Sequence, residues 1–209
     1  MKLKISELFY SIQGEGTYTG YPFIFLRLAG CNLNCSYCDT KYSFNTMEEI
    51  EIDILTKRIK DLKVKNILVT GGEPLLQLDS LLYLFKKLDK YLISIETNGS
   101  ISIREIPSNI HIVIDVKTPS SGFHNSFMLE NLKYLKKGDD IKFVVSDIDD
   151  FNFSINFIEK YSLERITKNI IISPNINKVS PSLVAEWVLR KCNSNIKIGL
   201  QLHKFLGLK

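Results

Sequence analysis

The chain has 209 residues, of which 44% are hydrophobic and 24% are charged, and its formal net charge is +4. These values exclude a disordered tail, a collagen and a coiled coil. The length favours one domain over residues 1–209, with a core large enough to fold without disulfides. The mild positive charge suits an enzyme with anionic ligands better than a protein that coats nucleic acid.

Three features of the sequence bear on location and partners. No apolar run reaches the roughly 18 residues of a membrane span. The segment Met1–Glu7 contains charged residues and lacks the apolar core that a signal peptide requires. We therefore predict a cytoplasmic protein without a membrane partner, in which the four cysteines stay reduced. The charged stretch Met47–Lys65 lacks interleaved aromatic residues and Lys133–Lys137 has only Tyr134, too few for a series of stacking platforms, so we predict solvated surfaces and no nucleic-acid partner.

Short apolar runs alternate with helical patterns along the chain, which predicts a mainly parallel sheet with helical crossovers. The predicted strands are Phe23–Leu28, Asn66–Thr70, Leu92–Glu96, His111–Val116, Asp140–Val145, Asn169–Ser173 and Ile196–Leu202. Five helices are expected: one that buries Leu55, Ile59 and Leu62, one that buries Leu81, Phe85 and Leu88, two over Asn125–Lys137 and Asp149–Tyr161, and one that begins at Ser180-Pro181 with Val184, Trp187 and Val188 inward.

Six to seven strands are too few for a closed eight-stranded barrel, so the predicted fold class is α/β, a single-domain partial (open) β/α barrel. Polar residues and glycines follow four of the strands, in Thr70–Pro74, Glu96–Gly99, Asp115–Pro119 and Ser173–Asn175. Ligands of parallel α/β sheets bind at the carboxyl ends of the strands. The site is therefore expected at that edge of the sheet.

Three cysteines, Cys31, Cys35 and Cys38, fall within eight residues directly after the first predicted strand. A structural zinc site commonly uses two separated pairs of ligands, and no second pair is present. A [4Fe–4S] cluster normally has four thiolates, so three would leave one iron open for another ligand. An iron–sulfur site is favoured, with zinc or inert core cysteines as alternatives. The isolated Cys192 is expected to be a small buried hydrophobic residue on the last helix.

The spacing Cys-x3-Cys-x2-Cys, with Tyr37 before the third cysteine, resembles the radical S-adenosylmethionine (SAM) superfamily. The resemblance implies a barrel of the radical SAM type and a cluster whose open iron binds SAM. It also implies that the reduced cluster cleaves SAM to a 5′-deoxyadenosyl radical, so that the cofactor carries the difficult chemistry. Gly71–Pro74, one β-α unit later, is similar to the glycine-rich motif that this superfamily uses for the SAM amino group.

The flanking residues resemble the 7-carboxy-7-deazaguanine synthase family of queuosine-precursor biosynthesis at Phe9–Gly16, Gly20, Pro22, Phe25–Gly30 and Asp39–Tyr42. The resemblance extends to Gln201–Lys204 and covers nearly the whole chain. It implies conversion of 6-carboxy-5,6,7,8-tetrahydropterin to 7-carboxy-7-deazaguanine and ammonia, with abstraction of the C6 hydrogen and regeneration of SAM. It also implies Mg2+ as a third cofactor, an electron donor such as a flavodoxin or ferredoxin, and a homodimer.

The resemblance assigns residues to three groups and no protein acid or base. The pterin substrate is expected to contact Ile12, Gln13, Gly14, Glu15, Arg27, Thr70 and His203. Contacts to SAM are expected from Tyr37, Asp39, Gly72, Asp115, Val116, Lys117, Ser173, Pro174, Asn175 and Ile176. The cluster ligands are Cys31, Cys35 and Cys38, and Thr40 is the expected Mg2+ ligand, completed by substrate carboxylate and water because a lone hydroxyl is a poor ligand.

Arg27 suits its expected role because a guanidinium can donate two hydrogen bonds to a carboxylate or a carbonyl. Three other functions remain open. A glycyl-radical-enzyme activating protein uses the same cysteine spacing, although Gln13–Gly16 and Asp39-Thr40 suit a small polar heterocycle with magnesium. A non-catalytic iron–sulfur module or a degenerate SAM-binding relative would also contain the three cysteines.

Overall fold

The computed structural model describes residues 1–44, 48–191 and 195–208. In these residues nine strands form one sheet in the order β3-β1-β2-β4-β5-β6-β7-β8-β9. The strands are β1 (Lys2–Ile12), β2 (Pro22–Leu28), β3 (Glu48–Glu51), β4 (Asn66–Gly71), β5 (Leu92–Thr97), β6 (His111–Asp115), β7 (Asp140–Val145), β8 (Asn169–Pro174) and β9 (Ile196–Ile198). Strand β2 and the six strands β4 to β9 run parallel to one another. With β3 and β9 as its edges, the sheet is open, which confirms the predicted fold class.

Four helices connect the parallel strands and pack on one face of the sheet. They are α1 (Ile52–Asp61), α2 (Leu78–Lys87), α3 (Ile148–Lys160) and α4 (Pro181–Lys191), and a short fifth helix, α5 (Leu202–Phe205), follows β9. Alternate strand residues such as Leu26, Val69 and Ile95 join the helices in one large core cluster. No helix in the described part of the chain is long and apolar enough to cross a bilayer.

The other face of the sheet, the inner face, carries the remaining residues of each strand. Phe23, Phe25 and Leu68 form a small apolar cluster at its base. Farther along the same strands, the side chains become polar and line a cavity. This follows from the period-two alternation of strands: one set of residues builds the core and the other set builds the site.

All seven predicted strands are present, but the last one is shorter than predicted. It ends at Ile198, and the next residue, Gly199, lies so close to Ser173 on the neighbouring strand that there is no space for a side chain. The predicted helices at α1, α2, α3 and α4 are also present. Leu62, however, follows the end of α1 and is 38% exposed, so its predicted burial was wrong. Cys192 lies outside the described residues.

The prediction of a helix over Asn125–Lys137 was wrong, since this segment contains only a short 3-10 helix at Leu129–Lys133. The side chain of Asn131 is buried and donates hydrogen bonds to the carbonyl oxygens of Gly99 and Ile101. Its amide oxygen accepts a third hydrogen bond from the backbone of Ile103. These bonds to a neighbouring loop fix an irregular conformation in place of regular helix.

Two strands were missed by sequence reasoning. The charged N-terminal segment forms β1, which pairs antiparallel with β2 on one side and with β3 on the other. Strand β3 lies in the stretch Met47–Lys65, interpreted above as one solvated helix, although Met47 itself is not among the described residues. Ile50 is the buried residue of β3, and Leu3 and Ile5 of β1 are buried in the same core, so the sheet interactions outweigh the charged composition.

Candidate active site

A cavity of about 290 Å³ opens at the carboxyl ends of the parallel strands, where the sequence predicted the site. The three expected cluster cysteines lie on its wall, on the loop that follows β2. All three are free thiols, and Cys35 is only 7% exposed. Burial raises the pKa of both Cys31 and Cys35. Without a bound cation beside them, Cys31 and Cys35 therefore favour the protonated thiol over the thiolate.

The cysteine loop is held by hydrogen bonds to segments that are distant in sequence. The backbone nitrogen of Ser36 donates to the carbonyl oxygen of Ser121 at 3.1 Å, and its hydroxyl donates to that of Ser120 at 2.6 Å. The side chain of Asn98 donates to the side-chain oxygen of Asn32 at 3.0 Å. The positions of the cysteines are thus set by the loops after β5 and β6.

Gly71 and Gly72 pack directly against the cysteine loop. A Cβ on Gly72 would overlap the carbonyl oxygen of Gly30 and lie 2.9 Å from the Cβ of Cys31. Gly71 has φ +134°, and a Cβ added to it would likewise overlap the backbone of Leu28. Only glycine permits this approach. The two glycines therefore serve the structure of the loop in addition to any contact with SAM.

Glu73 ties this turn to the next strand. The side chain is fully buried, and its carboxylate accepts hydrogen bonds from the hydroxyl of Thr97 at 2.8 Å and the backbone nitrogen of Asn98 at 2.7 Å. A further bond comes from the backbone of Leu75 at 3.0 Å. Burial raises the pKa of Glu73, while these donors favour the charged form. We use the name thiol wall for the lining residues that this turn and the cysteine loop contribute, which are Cys31, Cys35, Cys38, Gly71 and Gly72.

Asp115, Lys117 and Tyr37 lie beside the thiol wall and line the same cavity. The Lys117 ammonium pairs with the Asp115 carboxylate at 2.9 Å and lies 5.9 Å from the centre of the Tyr37 ring. Burial lowers the pKa of Lys117, but the neighbouring carboxylate outweighs it and raises the pKa above its usual value. The second carboxylate oxygen of Asp115 is buried and has no partner among the described residues, so it can accept a hydrogen bond from a ligand.

The residues of the thiol wall fit an iron–sulfur cluster. Three thiols lie on one side of a cavity that has room for a further ligand of an open iron. Among the described residues, no three His, Cys, Asp or Glu side chains are arranged to hold a single metal ion. A cluster is larger than one ion, and each thiolate binds a different iron atom. The unpartnered oxygen of Asp115 is a hydrogen-bond acceptor beside the three thiols.

A second group of lining residues, which we call the charged wall, consists of Glu15, Arg27, Glu96 and Lys142. The Lys142 ammonium lies 3.1 Å from one oxygen of Glu15, and the side-chain nitrogen of Gln201 donates to the other at 2.8 Å. Burial raises the pKa of Glu15, but Lys142 and the hydrogen bonds outweigh it and lower the pKa to about 2. Burial also raises the pKa of Glu96, whose carboxylate accepts from the Thr70 hydroxyl at 2.8 Å.

The C-terminal segment covers the end of the cavity. The backbone nitrogen of Leu202 donates to the carbonyl oxygen of Gly14 at 3.0 Å, and His203 lies directly over Gly14. A Cβ at Gly14 would lie 2.9 Å from Cγ of His203. Glycine at this position thus allows His203 to reach the cavity.

The loop between β1 and β2 closes the base of the inner face. Its residue Thr17 donates to the buried carboxylate of Asp140 from its backbone nitrogen at 2.7 Å and its hydroxyl at 2.6 Å. Tyr18 packs edge-on against His111 with ring centres 4.9 Å apart. These contacts hold the preceding residues Gln13 and Glu15 at the cavity.

The structure brings most of the predicted residues to one cavity. Those that line it are Ile12, Gln13, Glu15, Arg27, Cys31, Cys35, Tyr37, Cys38, Asp39, Thr40, Thr70, Gly72, Asp115, Lys117, Ser173, Pro174, Asn175 and His203. Gly14 supports His203 from behind. Val116 is fully buried in the core, and Ile176 lines an adjoining pocket that shares Pro174, Gln201 and Lys204 with the cavity, so neither lies on the cavity wall itself.

Sequence reasoning missed Lys142, Gln201 and Glu96 as individual site residues. Lys142 is a charge in the middle of an apolar strand, where Ile141 and Phe143 on either side are buried. A lysine there must face the other side of the sheet, and this alternation was the available signal. Gln201 offered no local signal, because its partner Glu15 is 186 residues away in sequence.

Comparison with known proteins identifies the class. The model of the radical SAM superfamily matches residues 26–172, and the chain belongs to that superfamily. Proteins named 7-carboxy-7-deazaguanine synthase are similar over almost all of it. The one from Methanospirillum hungatei is 43% identical over 99% of this chain and 86% of that protein. The one from Koribacter versatilis is 36% identical over 98% and 96% of the two chains.

The chain is a member of the 7-carboxy-7-deazaguanine synthase family of radical SAM enzymes. Membership implies a [4Fe–4S] cluster and SAM as cofactors, a small-molecule substrate and an electron donor. The crystal structure of QueE from Escherichia coli has the same fold, with a TM-score of 0.79 over 97% of this chain and 95% of that one, at 24% identity.

Proposed function

We propose that this enzyme converts 6-carboxy-5,6,7,8-tetrahydropterin and a proton to 7-carboxy-7-deazaguanine and ammonium, with SAM regenerated in each turnover. One observation carries the proposal: the thiol wall and the charged wall line the same cavity. The first suits a cluster with SAM, and the second offers charged and hydrogen-bonding groups to a polar heterocycle. A substrate between them is held next to the cofactor, as hydrogen abstraction requires.

Cys31, Cys35 and Cys38 would hold the cluster, and Gly72, Asp115 and Lys117 would hold SAM beside it. When bound, these cofactors supply the carbon radical that removes the hydrogen at C6 of the substrate. Tyr37, Asp39, Ser173, Pro174 and Asn175 complete the proposed SAM side. Bound cofactor and substrate would fill the cavity and exclude water, which protects a reactive radical from side reactions.

The proposed substrate side consists of Arg27, Gln13, Thr70 and His203, with Ile12, Gly14 and Glu15 around them. Arg27 is 15% exposed and can donate to the substrate carboxylate. The hydroxyl of Thr70 donates to Glu96, which leaves its oxygen free to accept from the pterin. The Glu15 side chain is already bound by Lys142 and Gln201, so we assign its substrate contact to the backbone.

The experiment that tests this proposal is anaerobic turnover. The protein is reconstituted with iron and sulfide, reduced, and supplied with SAM, Mg2+ and 6-carboxytetrahydropterin. The product and the remaining SAM are measured by mass spectrometry. We expect 7-carboxy-7-deazaguanine in large excess over the SAM consumed. If 5′-deoxyadenosine forms without the deazaguanine, the substrate assignment is wrong and a glycyl-radical partner protein becomes the alternative.

We also propose Thr40 as a ligand of Mg2+ that binds together with substrate. Its hydroxyl lies 3.6 Å from the sulfur of Cys38, at the junction of the two walls. Thr40→Ala is expected to lose most of the stimulation by Mg2+ while retaining the cluster. An unchanged magnesium dependence would remove Thr40 from the site. The single domain, the homodimer, the flavodoxin or ferredoxin donor and the cytoplasmic location stay predictions.

A further inference from the structure

Glu7 forms a close ion pair with Arg27, although it does not itself line the cavity. One carboxylate oxygen of Glu7 accepts from Nε of Arg27 at 2.9 Å, and the two side chains are 17% and 15% exposed. The residues lie directly opposite each other on β1 and β2. Because the contact uses Nε, it fixes the plane of the guanidinium and leaves the two terminal nitrogens available to a ligand.

A β-bulge places Glu7 in this position. Leu3 and Ile5 belong to the helix-side core, and without an irregularity Glu7 would face the same side. The register shifts between Ile5 and Glu7, so that one extra residue, Ser6, is inserted opposite β2. The shift turns Glu7 to the inner face, opposite Arg27. A bulge that redirects a side chain next to a site is a recurrent feature of sheets.

The residues that follow confirm the change of face. Phe9, two residues beyond Glu7, stacks on Phe25 with ring centres 5.0 Å apart and lines the cavity. Leu8 between them packs on the helix-side core. The exchange of faces at Ser6 therefore supplies two neighbouring pairs on the inner face, one ionic and one aromatic.

The same oxygen of Glu7 also accepts from the hydroxyl of Tyr42 at 3.1 Å. Tyr42 lies in the short 3-10 helix that follows Thr40, and the backbone of Ser43 in that helix donates to the carbonyl oxygen of Thr40 at 2.9 Å. Glu7 thus links Arg27 on the charged wall to the segment that carries the proposed magnesium ligand. An ordinary ion pair between exposed strands would show neither the bulge nor this third partner.

We propose that Glu7 is a positioning residue that sets Arg27 and the Thr40 segment for the carboxylate of the substrate. This inference rests on the proposed function, because it requires a carboxylated substrate in the cavity. Glu7 would act on affinity through Arg27 and would have no contact with the substrate itself. Without Glu7 the guanidinium is free to rotate. Substrate binding must then order the guanidinium, and this loss of entropy weakens the affinity.

The test measures binding and turnover of Glu7→Ala and Glu7→Gln in the reconstituted enzyme. Binding is measured by calorimetry in the unreduced enzyme with SAM and Mg2+, which cannot turn over. We expect Glu7→Ala to weaken binding of 6-carboxytetrahydropterin about 30-fold, with a matching rise in KM and little change in kcat. Glu7→Gln, which keeps an acceptor oxygen, should lose only about fivefold, and Tyr42→Phe about threefold.

Tetrahydropterin, which lacks the carboxylate, distinguishes positioning from general damage. Its affinity should be the same in the wild type and in Glu7→Ala. An equal loss for both ligands, or no loss for the carboxylated one, would overturn the inference. Glu49→Gln is the matched control, since Glu49 is an exposed carboxylate of the same sheet that pairs with Lys2.

Two further readouts separate the possible failures. The melting temperature and the rate of SAM cleavage without substrate should stay at the wild-type level in Glu7→Gln, whereas a folding defect would change both. If the wild type makes no deazaguanine, the proposed function fails. If the wild type turns over and both Glu7 variants bind and react like it, only the inference about Glu7 fails.

Discussion

The two walls of the cavity are built in different ways. The thiol wall consists of two short segments, Cys31–Cys38 and Gly71-Gly72, that touch through backbone atoms with no space for a Cβ. The charged wall consists of single side chains from distant parts of the chain, paired by charge across 127 residues in the case of Glu15 and Lys142. Close backbone packing fixes the thiol wall, and paired buried charges fix the charged wall.

This difference predicts two kinds of failure. Changes in the thiol wall should act through steric overlap and loss of the cluster, and they should depend little on pH. Changes in the charged wall should leave an unpaired buried charge and should therefore depend on pH. The variants below test this distinction.

The largest effect is expected from Cys35→Ala. Cys35 is the most buried of the three cysteines, and its loss leaves two thiols on the wall. We expect no brown cluster absorption, iron content near background and no SAM cleavage. Asn34→Ala, at an exposed position of the same loop, is the control and should keep all three. SAM cleavage by a cluster-free Cys35→Ala protein would contradict the radical mechanism.

Gly72→Ala should be the next most damaging change. The added methyl group would overlap the Gly30 carbonyl oxygen, which is backbone and cannot rotate away. We expect a loss of roughly 4 kcal/mol in the free energy of unfolding, measured by denaturant titration at pH 6 and pH 8 with the same result at both. Gly138→Ala is the matched control, because no atom lies within 4 Å of its added Cβ. A stable Gly72→Ala protein with a normal cluster would show that the two segments can separate.

The same contrast explains how much could be predicted from the sequence. The thiol wall could be predicted because its chemistry lies in contiguous motifs, Cys31–Cys38 and Gly71–Pro74, placed after apolar strands. Thr70 was assigned because it ends such a strand and matches a position of the family. Residues of the charged wall could be assigned only where the family resemblance covered them, as at Glu15 and Arg27.

What could not be predicted depended on tertiary contacts. Lys142 and Gln201 meet Glu15 only in the folded chain. The β1 strand was hidden by its charges, and its bulge breaks the alternation between Ile5 and Leu8 that would have marked it as regular strand. The loss of helix at Asn125–Lys137 depends on the partners of Asn131. In each case the deciding partner is remote in sequence.

Lys142→Met should show the pH dependence that marks the charged wall. In the wild type the lowered pKa of Glu15, about 2, contributes stability above its ordinary value of 4.5 that is lost as the pH falls toward 2. Without Lys142, burial instead raises the pKa of Glu15. We expect a destabilisation of about 3 kcal/mol at neutral pH, which becomes smaller as the pH is lowered and Glu15 takes up a proton.

The measurement is denaturant unfolding across this pH range. Lys87→Met is the control, since Lys87 pairs with the 75% exposed side chain of Asp53 and should contribute little. A Lys142→Met protein with the same deficit at acidic and neutral pH would show that Lys142 acts by packing alone. The charged wall would then differ less from the thiol wall than its geometry indicates.

The smallest effect is expected from Gly14→Ala, where the atom nearest to the added Cβ, Nδ1 of His203, belongs to a side chain that can move. The added methyl group should displace the imidazole from the cavity, and the backbone nitrogen of His203, which would lie 2.9 Å from it, must shift slightly. We expect KM for the pterin to rise several-fold with only a small decrease in the melting temperature. In a His203→Ala background, where the obstruction is absent, Gly14→Ala should add nothing, and the coupling is read from a double-mutant cycle. Additive effects of the two changes would mean that Gly14 matters for the backbone of its loop and that side-chain crowding at this edge of the cavity is unimportant.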